Sequence, residues 1–167
     1  MTMQKPEELF LHELSDMYDA EEHIAKILPK LAEEAGNSEV RSAFEMHEQQ
    51  TREQIQNLDQ CFQLLGAQRQ KVTCDAVLGL KKEHDTFLKE KPDEAILTLF
   101  DLGAAAKTEH YEIASYEGLI AKAQLMGQQS VARLLEQNLR QEQEMAQKVS
   151  QLSHQLGQQQ AGALSIR

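Results

Sequence analysis

Three glutamates stand in phase with residues that seek a core. Glu21 lies seven residues from Leu14 and from Leu28, Glu109 seven from Leu102 and from Tyr116, and Glu142 seven from Leu135 and from Val149. An interval of seven returns an α-helix to nearly the same side, so these carboxylates face inward with their apolar neighbours. His47 belongs to a fourth stripe, Val40, Phe44, His47, Thr51, Ile55, Leu58, Phe62 and Leu65, with Gln50 on its flank; His110 and Glu112 stand beside Glu109. Buried carboxylates left uncompensated cost on the order of several kcal/mol each, so something must neutralise them. A divalent cation held by Glu21, His47, Glu109, Glu112 and Glu142, with the neutral carbonyl of Gln50, would do so directly. Shared protons, hydrogen bonds from Tyr18, Tyr116, His47 or His110, or water in an imperfectly closed core would serve as well, and the residue types leave both routes open.

The elements that must position these groups are legible from punctuation. Pro6 suits a helix's first turn, and the periodic segment that follows runs to Gly36, a natural C-terminal cap, which predicts a first helix over 6–35 with a kink after Ala25 where Pro29 removes a backbone donor. Asn37 and Ser38 open a second helix over 39–65, ended by Gly66. A short amphipathic piece carrying Val77, Leu80, Phe87 and Leu88 ends near Lys91 and Pro92 and serves as a connecting helix. A third long helix runs from Pro92 or Asp93 to Gly127, with inward rows Leu99, Ala106, Ile113, Ile120 and Leu102, Glu109, Tyr116. A fourth runs from about Ser130 to Gly157, leaving 158–167 as a flexible tail. Residues equally far from a tight turn lie at similar heights. Glu21 and Thr51, each 15 residues from Gly36, therefore pair, and Glu109 and Glu142 lie 18 and 15 residues from Gly127. The three-residue mismatch is roughly 4.5 Å at about 1.5 Å per residue. Four long helices with a long crossover between the second and third define an all-α antiparallel four-helix bundle of ferritin-like, rubrerythrin-type form, with a short extra helix in the crossover.

Composition agrees and excludes other classes. The chain has 167 residues, one domain's worth, with 41% apolar and 26% charged residues, 5% aromatic residues and no Trp. Ala, Leu, Glu, Gln and Lys dominate, and these favour helix. A net charge of −10, without a Lys/Arg cluster, speaks against nucleic-acid binding. No apolar stretch approaches a membrane span, and no basic segment leading into an apolar one opens the chain, so a cytoplasmic protein is expected. Cys61 and Cys74 read as free buried thiols. No hydroxyl or thiol is tied to a base by a recognisable motif, and no glycine-rich phosphate loop is present. His12, His23, His84 and His154 lack ligand-spaced partners and are expected in solvent or partly buried. Met17, Met46, Met126 and Met145 fall at or near the seams as packing residues, and the run Lys81 to Lys91 reads as a solvated face.

Several stretches resemble the YciE/YciF family of bacterial stress-associated ferritin-like proteins: Leu14-Ser15-Asp16 through Tyr18-Asp19-Ala20-Glu21, the His47 region, Cys74-Asp75-Ala76 with Gly79-Leu80, and Leu134-Leu135 with Glu142. The longest is Lys107-Thr108-Glu109-His110-Tyr111-Glu112-Ile113-Ala114-Ser115-Tyr116. The resemblance covers roughly Pro6 to Leu152. It implies a rubrerythrin-like bundle, usually dimeric, with Glu21, His47, Glu109 and Glu142 at a metal centre, and it leaves the biochemical activity open. Where relatives carry acidic residues on the second helix this chain has Gln49 and Gln50, and further along the fourth it has Ala146. A ferritin-type dinuclear centre uses four Glu and two His. Glu21, Glu109 and Glu142 supply −3 with one clear His, and no in-phase Glu-x-x-His pair appears on helices 2 or 4. This count favours one iron or manganese ion per chain, or none, over a full di-iron centre. Three function classes follow: a metal-binding stress protein without turnover, a metal-free bundle acting through protein contacts, and a di-iron oxidase or peroxidase. A homodimer is expected from the resemblance and from the glutamine-rich stretches of helices 2 and 4.

Overall fold

Two tight turns fold the chain into two helical hairpins. In the computed structural model, which describes residues 3–165, α1 (Pro6–Glu34) turns into α2 (Ser38–Leu65), and α4 (Glu94–Leu125) turns into α5 (Gln129–Ser165). A crossover carrying α3 (Asp75–Phe87) and a 3-10 turn (Leu88–Glu90) joins the hairpins, and no strand occurs among the described residues. Local chemistry accounts for the boundaries. Asn37 Oδ1 accepts from the amides of Glu39 and Val40, and Asp93 Oδ1 accepts from that of Ile96, each satisfying donors that a helix N-terminus leaves open. Pro29 lies inside a continuous α1.

Gly36 does not cap α1 in the left-handed manner that its position suggested. Ala35 ends the helix in an extended conformation. A Cβ on Gly36 would lie 2.4 Å from Glu94 Cγ, so a larger residue in this turn would have to displace the exposed Glu94 side chain at the start of α4. The Gly36 amide donates to Thr98 Oγ1 at 3.0 Å across the same junction. Gly127, at φ 72, does adopt the left-handed form that reverses the chain between α4 and α5.

α1 packs against α2 and α4, and α5 packs against the same two. The Gly36–Thr98 bond sets the end of α1 beside the start of α4, while Cys61 Sγ, 4.0 Å from the carbonyl of Val131, sets the end of α2 beside the start of α5. Neighbouring helices are therefore antiparallel, and α2 and α4 run in the same direction across the diagonal. The crossover must travel the length of the bundle. Thirteen residues of α3 cover about 20 Å of it, and the extended stretch 67–74 covers the rest. That stretch is tied to α1: the amide of Gln70 donates to Ser15 Oγ, that of Cys74 to Asp19 Oδ2, and Arg69 lies 4.3 Å over the Tyr18 ring.

Phe10, Leu14, Met17, Phe44, Leu58, Leu102, Leu119, Leu135, Met145 and Leu152 form the closed centre of the core. Three expectations change. The second inward row of α4 is Thr98, Ala105, Glu112 and Leu119; of the expected Leu99, Ala106, Ile113 and Ile120, one residue later, Ile120 is buried and the other three are half-buried. Met46 is exposed, because it precedes His47 and points away from the seam. α5 continues through Gly157 to Ser165, since Gln158 to Ala161 are good helix formers and one internal glycine costs only about 1 kcal/mol; residues 166 and 167 of the expected tail lie outside the described residues. Cys61 and Cys74 are free and buried. Among the described residues no helix is long and apolar enough to cross a membrane.

Candidate metal centre

The two hairpins bring their polar groups together in the middle of the bundle. His47 from α2, Glu109 and Glu112 from α4 and Glu142 from α5 are all buried, and one donor atom from each lies within 4.8 Å of the others. His47 Nε2 is 3.2 Å from Glu109 Oε1 and 3.7 Å from Glu142 Oε2. The opposite ring nitrogen, Nδ1, faces Gln50 Oε1 at 3.3 Å. A proton on Nδ1 donated to Gln50 leaves Nε2 as a lone pair aimed at the carboxylates, which is the form of imidazole that binds a metal.

Glu21 from α1 sits beside this quartet and is held by its own network. The Tyr116 hydroxyl donates to Glu21 Oε1, Asn138 Nδ2 donates to the Tyr116 oxygen at 3.0 Å, and Asn57 Nδ2 donates to Asn138 Oδ1 at 2.7 Å. Gln54 Nε2 donates to Glu142 Oε1. After these bonds, Glu21 Oε2, Glu109 Oε2, Glu142 Oε2, both Glu112 oxygens and His47 Nε2 have no hydrogen-bond partner. Native interiors leave few buried polar atoms unpaired, so such a concentration calls for a missing partner.

Electrostatics point the same way. Burial pushes the Glu109 carboxyl up to about 7, with the charge of Glu21 adding to the effect. Burial and then the charge of Glu142 raise Glu21 well above the ordinary carboxylate range, against the lowering hydrogen bond from Tyr116. Glu112 is raised by burial and by the charges of Glu142, Glu21 and Glu109. Burial also raises Glu142, with His47 opposing. The cluster can hold protons, or it can hold a cation that stands in for them.

Of the residues expected at the site, His47, Glu109, Glu112 and Glu142 converge on one point, with Glu21 adjacent. Gln50 does not join them; it contacts the far side of the His47 ring. His110 is exposed. Glu112 is fully inside, so the buried carboxylates number four where the sequence count of −3 used three. Gln54 and Asn138 were missed although both were in phase. Gln54 is seven residues from His47 and four from Leu58, more deeply buried than the expected Ile55, which packs against the core in part, and Asn138 lies between Leu135 and Glu142 on an otherwise apolar row. An apolar cavity of about 50 Å³ between α1, α3 and α4, lined in part by Ile24, Leu28, Val77 and Ala105, reaches Glu109.

A bundle of this topology, carrying a buried carboxylate and histidine cluster, is a helical-bundle protein of the family described as a domain of unknown function, DUF892, whose model matches residues 5–162. The chain belongs to that family. It is 34% identical over 143 residues to Protein YciF of Escherichia coli K12, a match spanning 85% of this chain and 86% of that protein. The crystal structure of the E. coli stress protein YciF superimposes with a TM-score of 0.89 at 31% identity, covering 93% of this chain and 99% of the other. YcfI of Rhodopseudomonas palustris matches with a TM-score of 0.85 at 39% identity, covering 88% and 94% of the two chains.

Proposed function

We propose that this chain is a stress-associated protein that binds one divalent iron or manganese ion through His47, Glu109, Glu112 and Glu142. The observation that carries the proposal is the convergence of four buried donor groups whose inward atoms lack hydrogen-bond partners. One imidazole and three carboxylates suit intermediate and hard divalent ions of this kind. Glu21 belongs to the surround: Tyr116 holds one of its oxygens, and its charge helps to retain a cation. Gln50 orients His47, and Gln54 orients Glu142. A bound ion would supply Lewis-acid or redox chemistry, and the apolar cavity beside Glu109 would admit a small neutral molecule such as dioxygen.

Elemental analysis of protein purified without chelator should find about one iron or manganese per chain, and His47→Ala should remove most of it. Metal-free protein that fails to take up either ion, or undiminished uptake by the variant, would overturn the assignment. The four carboxylates match the glutamate count of a dinuclear centre, which favours a di-iron oxidase as the second reading; two irons per chain together with ferrous-dependent oxygen consumption would establish it. No uptake of either metal would instead favour a bundle that works through protein contacts.

We also infer a homodimer, on the resemblance and on the exposed Gln49, Gln56 and Gln60 of α2 and Gln143 and Gln147 of α5. Light scattering should give twice the chain mass at micromolar concentration; a strictly monomeric mass removes the inference.

A further inference from the structure

His84, expected in solvent or partly buried, is neither. It is buried, where α3 meets the C-terminal end of α1 and the first turns of α4. Its Nε2 lies 3.0 Å from Glu34 Oε2 and 3.3 Å from Asp101 Oδ1, while Nδ1 is 3.6 Å from Asp85 Oδ1. Asp101 has no exposed surface, and neither of its carboxylate oxygens has a hydrogen-bond partner. One ring proton cannot serve two carboxylates, and the bond to Glu34 leaves Asp101 unanswered.

We propose that Glu34, His84 and Asp101 form a second divalent-cation site, of the zinc or manganese type, that ties the crossover helix to the bundle. One donor atom from each of the three lies within 4.8 Å of the others. Metal–ligand bonds of about 2.0–2.2 Å set neighbouring donors roughly 3.0–3.5 Å apart in octahedral or tetrahedral arrangements, and the separations from Nε2 are 3.0 and 3.3 Å. A cation in place of the Nε2 proton would engage Glu34 and Asp101 at once and give the orphaned carboxylate its partner. Local charge suits it. Glu34, Asp85 and Asp101 carry −3, and Lys30, 3.7 Å from both Glu34 and Asp85, together with Lys81, paired with Asp85, returns +2, which leaves the surroundings of the imidazole net anionic at −1. The Glu34 side chain is 20% exposed, which provides an entrance from solvent. The site shares no ligand with the central quartet; the apolar cavity lined by both His84 and Glu109 is the element common to the two. Its three donors come from α1, α3 and α4, so the ion would hold α3 in place over that cavity.

Zn2+ is the probe. Full-length protein stripped with chelator and dialysed is titrated by calorimetry, as wild type, His84→Gln, Asp101→Asn and Glu142→Gln. The wild type and Glu142→Gln should both show an equivalent of Zn2+ that His84→Gln and Asp101→Asn bind about 100-fold more weakly or lose; removal of a ligand exceeds the 10–100-fold effect of groups that merely orient ligands. Unchanged stoichiometry and affinity in folded His84→Gln overturns the site. Should a variant fail to fold, the ring resonances of His84 in the wild type decide: a shift that saturates with Zn2+ supports coordination, and no shift at saturating Zn2+ overturns it.

Discussion

Glu112→Gln is expected to stabilise the metal-free protein while weakening its hold on a divalent cation. Glu112 is completely buried, neither oxygen has a hydrogen-bond partner, and the charges of Glu142, Glu21 and Glu109 all oppose its ionisation. An amide of the same size has no proton to lose and brings two N–H donors to carboxylates that lack them. Burial keeps the Glu112 carboxyl protonated in the folded protein at a cost that grows with pH, and the amide does not carry that cost, so the melting temperature of the chelated variant should rise at about pH 8. The same change deletes an anionic ligand, and Mn2+ affinity should fall about 10–100-fold or more. Thermal unfolding with and without metal reads both effects. A variant that melts lower than wild type without metal, yet binds Mn2+ equally well, would show that Glu112 is a structural residue outside the ligand set.

The second large effect is a pH dependence that reverses with metal. Glu109 keeps its proton up to about 7 in the folded protein, against an ordinary value of 4.5. Between those limits the native state binds more protons than the unfolded chain, so stability falls as pH rises. The contribution is fully present below the unfolded value and is lost as pH passes the folded one. Glu21, Glu112 and Glu142, all raised well above the carboxylate range, extend the loss to higher pH. Metal ligation requires deprotonated carboxylates, so cation affinity, and with it metal-dependent stability, should climb over the same interval. Urea unfolding at a series of pH values, with chelator and with Mn2+, should give slopes of opposite sign. A metal-free stability that rises from about pH 5 to about pH 8 would contradict the protonated cluster.

The helices and most of the site were legible because heptad phase is a strong signal when the inward residue is large. Leu102, Glu109 and Tyr116 announced their row, and so did Leu135, Glu142 and Val149. The row through Glu112 was hidden because two of its other members, Thr98 and Ala105, are polar or small, while Ile113 next door advertised a row of which Ile120 alone is buried. Gln54 and Asn138 were overlooked for a related reason: an uncharged polar residue in a seam looks like a tolerated surface residue until its partners, Glu142 and Tyr116, are seen. The height of one hairpin against the other was not legible, since counting from a turn fixes levels only within that hairpin. His84 was beyond sequence reasoning, as Glu34 reaches it from 50 residues away on α1 and Asp101 from the helix that follows, in neither case at a ligand spacing.

The shared direction of α2 and α4 has a kinetic consequence. Each hairpin closes over a short turn, so its contacts are local and form early, whereas docking of one hairpin on the other waits for a long loop to close. Glu109, Glu112 and Glu142 all travel on the second hairpin, and His47 and Glu21 on the first. The encounter that excludes water from the core is therefore also the one that brings Glu21 against the three carboxyl groups of the second hairpin. A cation already resting on the second hairpin would lower that barrier, and metal supply would then bear on how fast the newly made chain matures as well as on how firmly the finished bundle holds.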